Sequence, residues 1–200
     1  MRLLDLLFPP RADEYALRAV SPDTFLAFVM PRVVPETRPE TVTLLPFNEP
    51  VVRAAIHEAK YHGSDKAFTY LGTTLADYLR GADDIKRPVI IPIPLGSGRR
   101  AERGFNQVEE IAKRTGAELG IPLDTELLVR THETASQVSL PREARKQNMQ
   151  GAFAATRHAD PAFTYILIDD VITTGATLQA AVDALTAAGA THLIPLALAH

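Results

Sequence analysis

The stretch from Tyr165 to Thr177, Tyr-Ile-Leu-Ile-Asp-Asp-Val-Ile-Thr-Thr-Gly-Ala-Thr, narrows the choice of fold more than any other part of the chain. Tyr165 to Ile168 form a short apolar run, the pattern of a strand buried on both faces of a parallel sheet. Asp169 and Asp170 follow at its C-terminal end, where open α/β sheets take their ligands. Thr173, Thr174, Gly175, Ala176 and Thr177 then make a small, hydroxyl-rich turn. Leu178, Ala181, Val182 and Leu185 recur with helical spacing, Gly189 stops the helix, and Leu193 to Leu198 resume an apolar strand. The order of strand, loop, helix and strand is a βαβ unit with its loop at the ligand edge.

The chemistry of that loop suits a phosphate. A helix N-terminus offers free N–H groups and partial positive charge, Gly175 permits close backbone approach, and Thr173, Thr174 and Thr177 add hydroxyls without bulk. Two carboxylates in the same cradle would repel a phosphate. They make sense facing its neighbour, either ribose hydroxyls or a hydrated Mg²⁺. A sugar phosphate satisfies both halves. No Gly-Lys-Ser/Thr follows, which excludes a P-loop, and the dinucleotide-binding glycines are missing.

Ile166 to Thr177 resembles the phosphoribosyl pyrophosphate motif of type I phosphoribosyltransferases. The resemblance implies that the acidic pair meets the ribose hydroxyls and that the Thr-rich loop, residues 173 to 177, holds the 5′-phosphate. It also implies Mg²⁺ at Asp169 and Asp170, reached through water.

A second unit of the same kind lies upstream. Val89-Ile-Ile-Pro-Ile-Pro94 reads as a strand whose prolines end its pairing. Leu95 to Gln107 reads as a pliable loop with glycines at 96 and 98. Phe105, Val108, Ile111, Ala112 and Leu119 then mark a helix stopped by Gly120. Arg99, Arg100 and Arg103 make this loop basic, and arginine forks suit the oxygens of pyrophosphate. Asn48-Glu49-Pro50 starts another helix, with Val52, Ile56 and Ala59 on one face and Gly63 at its end. A further helix is expected over Ala67 to Leu79. Lys60 and Arg145 are weaker candidates for the same ligand. His57 reads as a polar surface residue.

The 200 residues suit one domain with a small appendage, and 46% hydrophobic content supports a packed core. The net charge of −3 demands no nucleic-acid partner. With no cysteine there is no disulfide and no Cys-based zinc site. No apolar run is long enough to span a membrane, so a cytoplasmic protein is expected. Prolines break residues 1–48 into short pieces, with Thr24 to Met30 and Thr41 to Leu45 open to helix or strand. Leu127 to Arg130 reads as a short strand. Residues 131–148 form a long polar segment with Arg142, Arg145 and Lys146, expected to act as a lid. Gly151 to Phe153 is expected to return to the sheet.

Ala59-Lys-Tyr-His-Gly63, Ile91-Pro-Ile-Pro94, Arg103-Gly-Phe-Asn-Gln107, Arg130 with Gln137, and Arg145 with Asn148 and Gly151-Ala-Phe153 are similar to the ComF-like branch of the type I phosphoribosyltransferases. That branch is linked to natural transformation, which implies single-stranded DNA and a DNA-uptake protein as partners. Relatives follow an opening like Leu3 to Pro10 with zinc-binding cysteines, which this sequence lacks. The expectation is an α/β fold, a mainly parallel twisted sheet flanked by helices. Residues 1–48 would contribute an N-terminal hood, and 49–200 a phosphoribosyltransferase-like domain. The expected function is binding of phosphoribosyl pyrophosphate with Mg²⁺ and transfer of its phosphoribosyl group to an unknown acceptor. The alternatives are a non-catalytic accessory protein that binds phosphoribosyl pyrophosphate, a nucleotide or single-stranded DNA, and a DNA-binding face built from Arg99, Arg100, Arg142, Arg145 and Lys146.

Overall fold

A computed structural model of the chain describes residues 11–82, 84–131, 149 and 151–200. In chain order its elements are α1 (Ala12–Ala19), α2 (Pro22–Leu26), β1 (Arg32–Val34), β2 (Thr41–Leu45), α3 (Pro50–His62), α4 (Asp65–Arg80), β3 (Pro88–Pro92), α5 (Ser97–Arg103), α6 (Gln107–Leu119), β4 (Leu128–Arg130), β5 (Phe153–Ala155), β6 (Thr164–Val171), α7 (Ala176–Ala187) and β7 (His192–Ala199). Among the described residues, five strands form one sheet in the order β1-β2-β7-β6-β3. β1 is antiparallel to β2, and the other three pairings are parallel. The fold is therefore α/β, with a mainly parallel sheet flanked by helices, as the sequence led us to expect.

The apolar run of β6 explains why both sheet faces are covered. Side chains alternate along a strand. Ile166 and Ile168 enter a core shared with Val52 and Ile56 of α3, Leu71 and Leu75 of α4 and Ile111 of α6. Tyr165 and Leu167 enter the opposite core with Leu178, Val182 and Leu185 of α7 and with Leu128 and Phe153. A strand with a layer on each face has no solvent side on which to carry polar residues.

Helix limits follow local chemistry. α3 begins on Pro50 and ends at Gly63, whose φ of 57° is left-handed. The Ser64 hydroxyl caps α4 by accepting from Ala67 N–H. Asn106 Oδ1 accepts from Val108 N–H to cap α6, while its Nδ2 donates to Ile93 O at 3.0 Å. This one buried side chain fixes the start of α6 to the exit of β3. Of the ambiguous N-terminal pieces, residues 22–26 are helical and 41–45 form the strand β2 beside β7.

Three expectations need correction. Residues 97–103 are a short helix, α5, rather than a pliable loop, and Gly104 closes it at φ 78°. None of its residues is buried, so it leaves no apolar stripe to read. Phe105 consequently lies outside α6. Its ring meets that of Phe68 edge-on at 5.8 Å and sits against Gly63. Finally, the chain after Gly151 does not rejoin the central sheet. Phe153–Ala155 pairs antiparallel with Leu128–Arg130 in a separate two-stranded sheet. The lid expected over residues 131–148 falls, beyond Thr131, outside the described residues, as does Arg145.

Candidate functional site

β3 and β6 are neighbours in register, from Pro88 opposite Thr164 to Pro92 opposite Ile168. Their C-terminal ends therefore open side by side. The arginine-bearing segment leaves one strand and the acidic and threonine-bearing segment leaves the other. β6 runs on to Val171, so Asp169 and Asp170 lie within its last turn of pleat rather than after it.

That extension separates the two carboxylates. Asp170 takes the parity of Ile166 and Ile168 and faces the α3 and α6 layer; Asp169 takes the parity of Leu167. Asp170 is 7% exposed and fully engaged. Its Oδ1 meets Lys60 Nζ at 3.0 Å and accepts from Val171 N–H at 2.6 Å, and its Oδ2 accepts from Gln107 Nε2. Asp169 Oδ1 accepts from Asp170 N–H at 2.8 Å. Loss of water, and next the charge of Asp170, push the Asp169 carboxyl up to about 7, against the pull of that N–H, Lys60 and Arg99. The doublet thus holds one anchored anion and one carboxyl poised to ionise when a cation or a hydroxyl arrives.

The three arginines of α5 have three different surroundings. Arg99 is exposed on the first turn, close enough to Asp169 for its charge to favour the carboxylate. Arg100 reaches Glu109 Oε2 at 3.2 Å. Arg103 turns inward: its guanidinium lies 4.9 Å from the centre of the Tyr61 ring, and Nη1 donates to Gln107 Oε1 at 3.1 Å. Its Nε is buried and, among the described residues, has no partner. Lys60 reaches this cluster because α3 ends beside it, where Phe105 packs on Gly63.

In the threonine segment, Thr173 is exposed and Thr177 partly so. Thr174 is buried, and its Oγ1 accepts from the N–H of Ala176, the first residue of α7, at 3.4 Å. Gly175 has a φ of 70°, and a Cβ there would fall 2.7 Å from both Cβ and O of Glu36. The β1–β2 turn therefore lies against the start of α7. It is held there by Arg38 N–H donating to Gln179 Oε1 at 2.6 Å. Glu36 Oε2 is buried without a partner among the described residues. Glycine is thus required at 175 on two grounds, left-handed backbone and contact with another segment of chain.

Sequence reading missed Gln107 and Glu36. Gln107 stood in plain view as the first helical residue after the cap Asn106, where a side chain faces back toward the strand ends. Glu36 sits in a proline-rich stretch with no periodicity, and nothing local signals it. His57, read as a surface residue, is exposed and paired with Asp13 at 3.0 Å. Its neighbours Glu58 and His62 come within ligand reach of it, but Glu58 already takes both forks of Arg11, at 3.0 and 2.8 Å.

The two oxygens of Asp170 are spent, whereas Asp169 has one oxygen with no bond to the protein among the described residues. A magnesium ion that keeps most of its waters suits such a donor set, with one or two carboxylates met through water.

No family model matches the chain. It is 37% identical over 92 residues, 45% of its length, to competence protein F of Haemophilus influenzae, and the match covers 40% of that protein. The chain is a relative of competence protein F. It is also 34% identical over 94 residues, 44% of its length, to DNA utilization protein YhgH of Escherichia coli K12, covering 39% of it. The counterpart from Salmonella typhimurium is 34% identical over 89 residues, again covering 39%. The chain thus spans about two fifths of the length of the curated relatives it matches. Among solved structures, adenine phosphoribosyltransferase from Leishmania tarentolae superposes with a TM-score of 0.38 at 17% identity, over 67% of this chain and 57% of that one. A likeness that loose carries no weight for the fold or the site. Among the described residues, no helix is long and apolar enough to cross a membrane.

Proposed function

We propose that this chain binds phosphoribosyl pyrophosphate with Mg²⁺ at the joint edge of β3 and β6. With an acceptor, it would transfer the phosphoribosyl group and release pyrophosphate, in a role in DNA uptake. The observation that carries the reading is that Lys60 and Gln107 both hold Asp170, with Arg103 bonded behind Gln107, so that cationic donors and the acidic pair meet at the ends of adjacent parallel strands. The names of the relatives, competence protein F and DNA utilization protein, support the DNA-uptake part.

In this reading Asp169 accepts from the ribose hydroxyls, and its ionised form favours positive charge developing on the anomeric carbon. Residues 173 to 177 hold the 5′-phosphate, with the α7 N-terminus behind them. Arg99 and Arg103 meet pyrophosphate oxygens; Arg100 must first leave Glu109. An acceptor lone pair bonds to the anomeric carbon, and the bond from that carbon to pyrophosphate breaks. The electron pair leaves with pyrophosphate, and the acceptor's proton passes to solvent. Bound Mg²⁺ would supply charge neutralisation for the leaving group.

The second reading is a non-catalytic accessory protein that binds phosphoribosyl pyrophosphate, a nucleotide or single-stranded DNA. The full engagement of Asp170 favours it, since only one carboxyl is left for chemistry. Pyrophosphate release separates the two, measured with phosphoribosyl pyrophosphate, Mg²⁺ and a panel of nucleobases, amines and single-stranded DNA. Release that disappears in Asp169→Asn supports transfer. Binding of phosphoribosyl pyrophosphate without release from any acceptor supports the accessory protein; absence of binding rejects transfer, and absence of binding to nucleotides and single-stranded DNA as well rejects both.

A further inference from the structure

Gln107 is 3% exposed and uses both ends of its amide. Nε2 donates to Asp170 Oδ2 and Oε1 accepts from Arg103 Nη1. A carboxamide can accept from a guanidinium and donate to a carboxylate at the same moment, whereas carboxylates only accept and cationic side chains only donate. Asp170 is fixed on its other oxygen by Lys60 and the Val171 N–H. Arg103 is braced on one nitrogen and over the Tyr61 ring, and among the described residues its buried Nε–H has no acceptor. Among the described residues the chain Arg103–Gln107–Asp170–Lys60 therefore ends in an unsatisfied donor, and its members belong to α5, α6, β6 and α3.

We propose that Gln107 is a positioning residue that couples Arg103 to Asp170, so that an oxyanion taken up by Arg103 and a divalent cation taken up at the acidic pair do not bind independently. The proposal rests on the phosphoribosyl pyrophosphate reading and names the connection within that site. An oxyanion that captures the free Nε–H draws the guanidinium toward itself and loosens its bond to Gln107. The amide, less polarised at its oxygen, then donates more weakly to Asp170, and the carboxylate's hold on Lys60 changes with it. In a buried network each bond polarises the next, so a change at one end is felt at the other. Thermodynamic reciprocity requires the converse: a cation at the carboxylates alters the affinity of Arg103 for its anion.

The test uses Mg²⁺ alone as the probe, titrated into wild type, Arg103→Met, Gln107→Met and the double variant. A guanidinium has no acceptor atom and cannot ligate the metal, so removing Arg103 reports an indirect effect. With Gln107 in place, Arg103→Met should change Mg²⁺ affinity by about threefold or more. In the Gln107→Met background the same substitution should have almost no further effect, the non-additivity of a shared network. Equal effects in both backgrounds would mean that charge acts through space, and would overturn the coupling. Should Gln107→Met fold poorly, Gln107→Glu keeps the acceptor for Arg103 and loses the donor to Asp170, and it should break the coupling equally. Inorganic pyrophosphate without metal tests the reading beneath. It should bind wild type and weaken in Arg103→Met. If pyrophosphate behaves so while the Mg²⁺ effects are additive, the coupling falls and the site stands. If neither probe binds wild type, both fall.

Discussion

The two strand-to-helix crossings at the ligand edge differ in how they are held. After β6, the middle of the turn is fixed by the surroundings: Thr174 is buried, and Gly175 is pressed against Glu36. After β3, α5 is short, exposed and bounded by Gly96 and Gly104, and only Arg103 reaches inward. One crossing is a preset cradle, and the other is a carrier of charge that can shift. A rigid half that fixes a sugar phosphate, beside an adjustable half that follows a leaving anion, is a division of labour that suits group transfer.

The largest effect that would break this comparison is at the glycines. Gly175→Ala forces a left-handed backbone on an L side chain and drives a Cβ to 2.7 Å from Glu36, so a loss of about 2–4 kcal/mol is expected in denaturant unfolding. Gly98→Ala meets nothing within 4 Å and removes a glycine from a helix, so it should be neutral or stabilise by about 0.5–1 kcal/mol. Similar costs at both sites would end the distinction between rigid and adjustable halves.

Lys60→Met comes next. It leaves Asp170, 7% exposed, without its cation, and should cost about 1–3 kcal/mol by the same measurement. A neutral result would show that Gln107 and Val171 alone hold that carboxylate.

The smallest effect concerns Asp169, raised from 3.8 to about 7. The folded protein holds a proton there that the unfolded chain releases at lower pH. This contribution favours folding fully below 3.8 and is lost as pH climbs through about 7. The metal-free protein should therefore lose melting temperature between pH 3.8 and about 7, and Asp169→Asn should flatten that slope. An unchanged slope in the variant would place the titration elsewhere.

How much of this was legible follows the same physics. β3, β6 and β7 announced themselves because strands covered on both faces must be apolar throughout. α3, α6 and α7 did so through a one-sided stripe and glycine stops. α5 buries nothing and so left no pattern. β4 and β5 are three residues each and pair across a long separation, which no local periodicity encodes. At the site, the residue types were readable and their partners were not. Asp-Asp looked like one unit until strand alternation sent the two carboxylates to different faces. The bond from Gln107 to Asp170 spans 63 positions, and that of Arg38 to Gln179 spans 141. Residue chemistry is local, whereas its use is set by which segments the sheet order brings together.

If the acidic pair and the arginine helix form one site for phosphoribosyl pyrophosphate, binding must depend on the two carboxylates. Calorimetric titration of phosphoribosyl pyrophosphate with Mg²⁺ into wild type and the Asp169→Asn, Asp170→Asn double variant measures that dependence. Charge-assisted hydrogen bonds of about 1.5–3 kcal/mol predict binding by wild type and an affinity roughly ten- to a hundredfold weaker in the variant. Equal affinity in a folded double variant, or no binding by wild type, would contradict it.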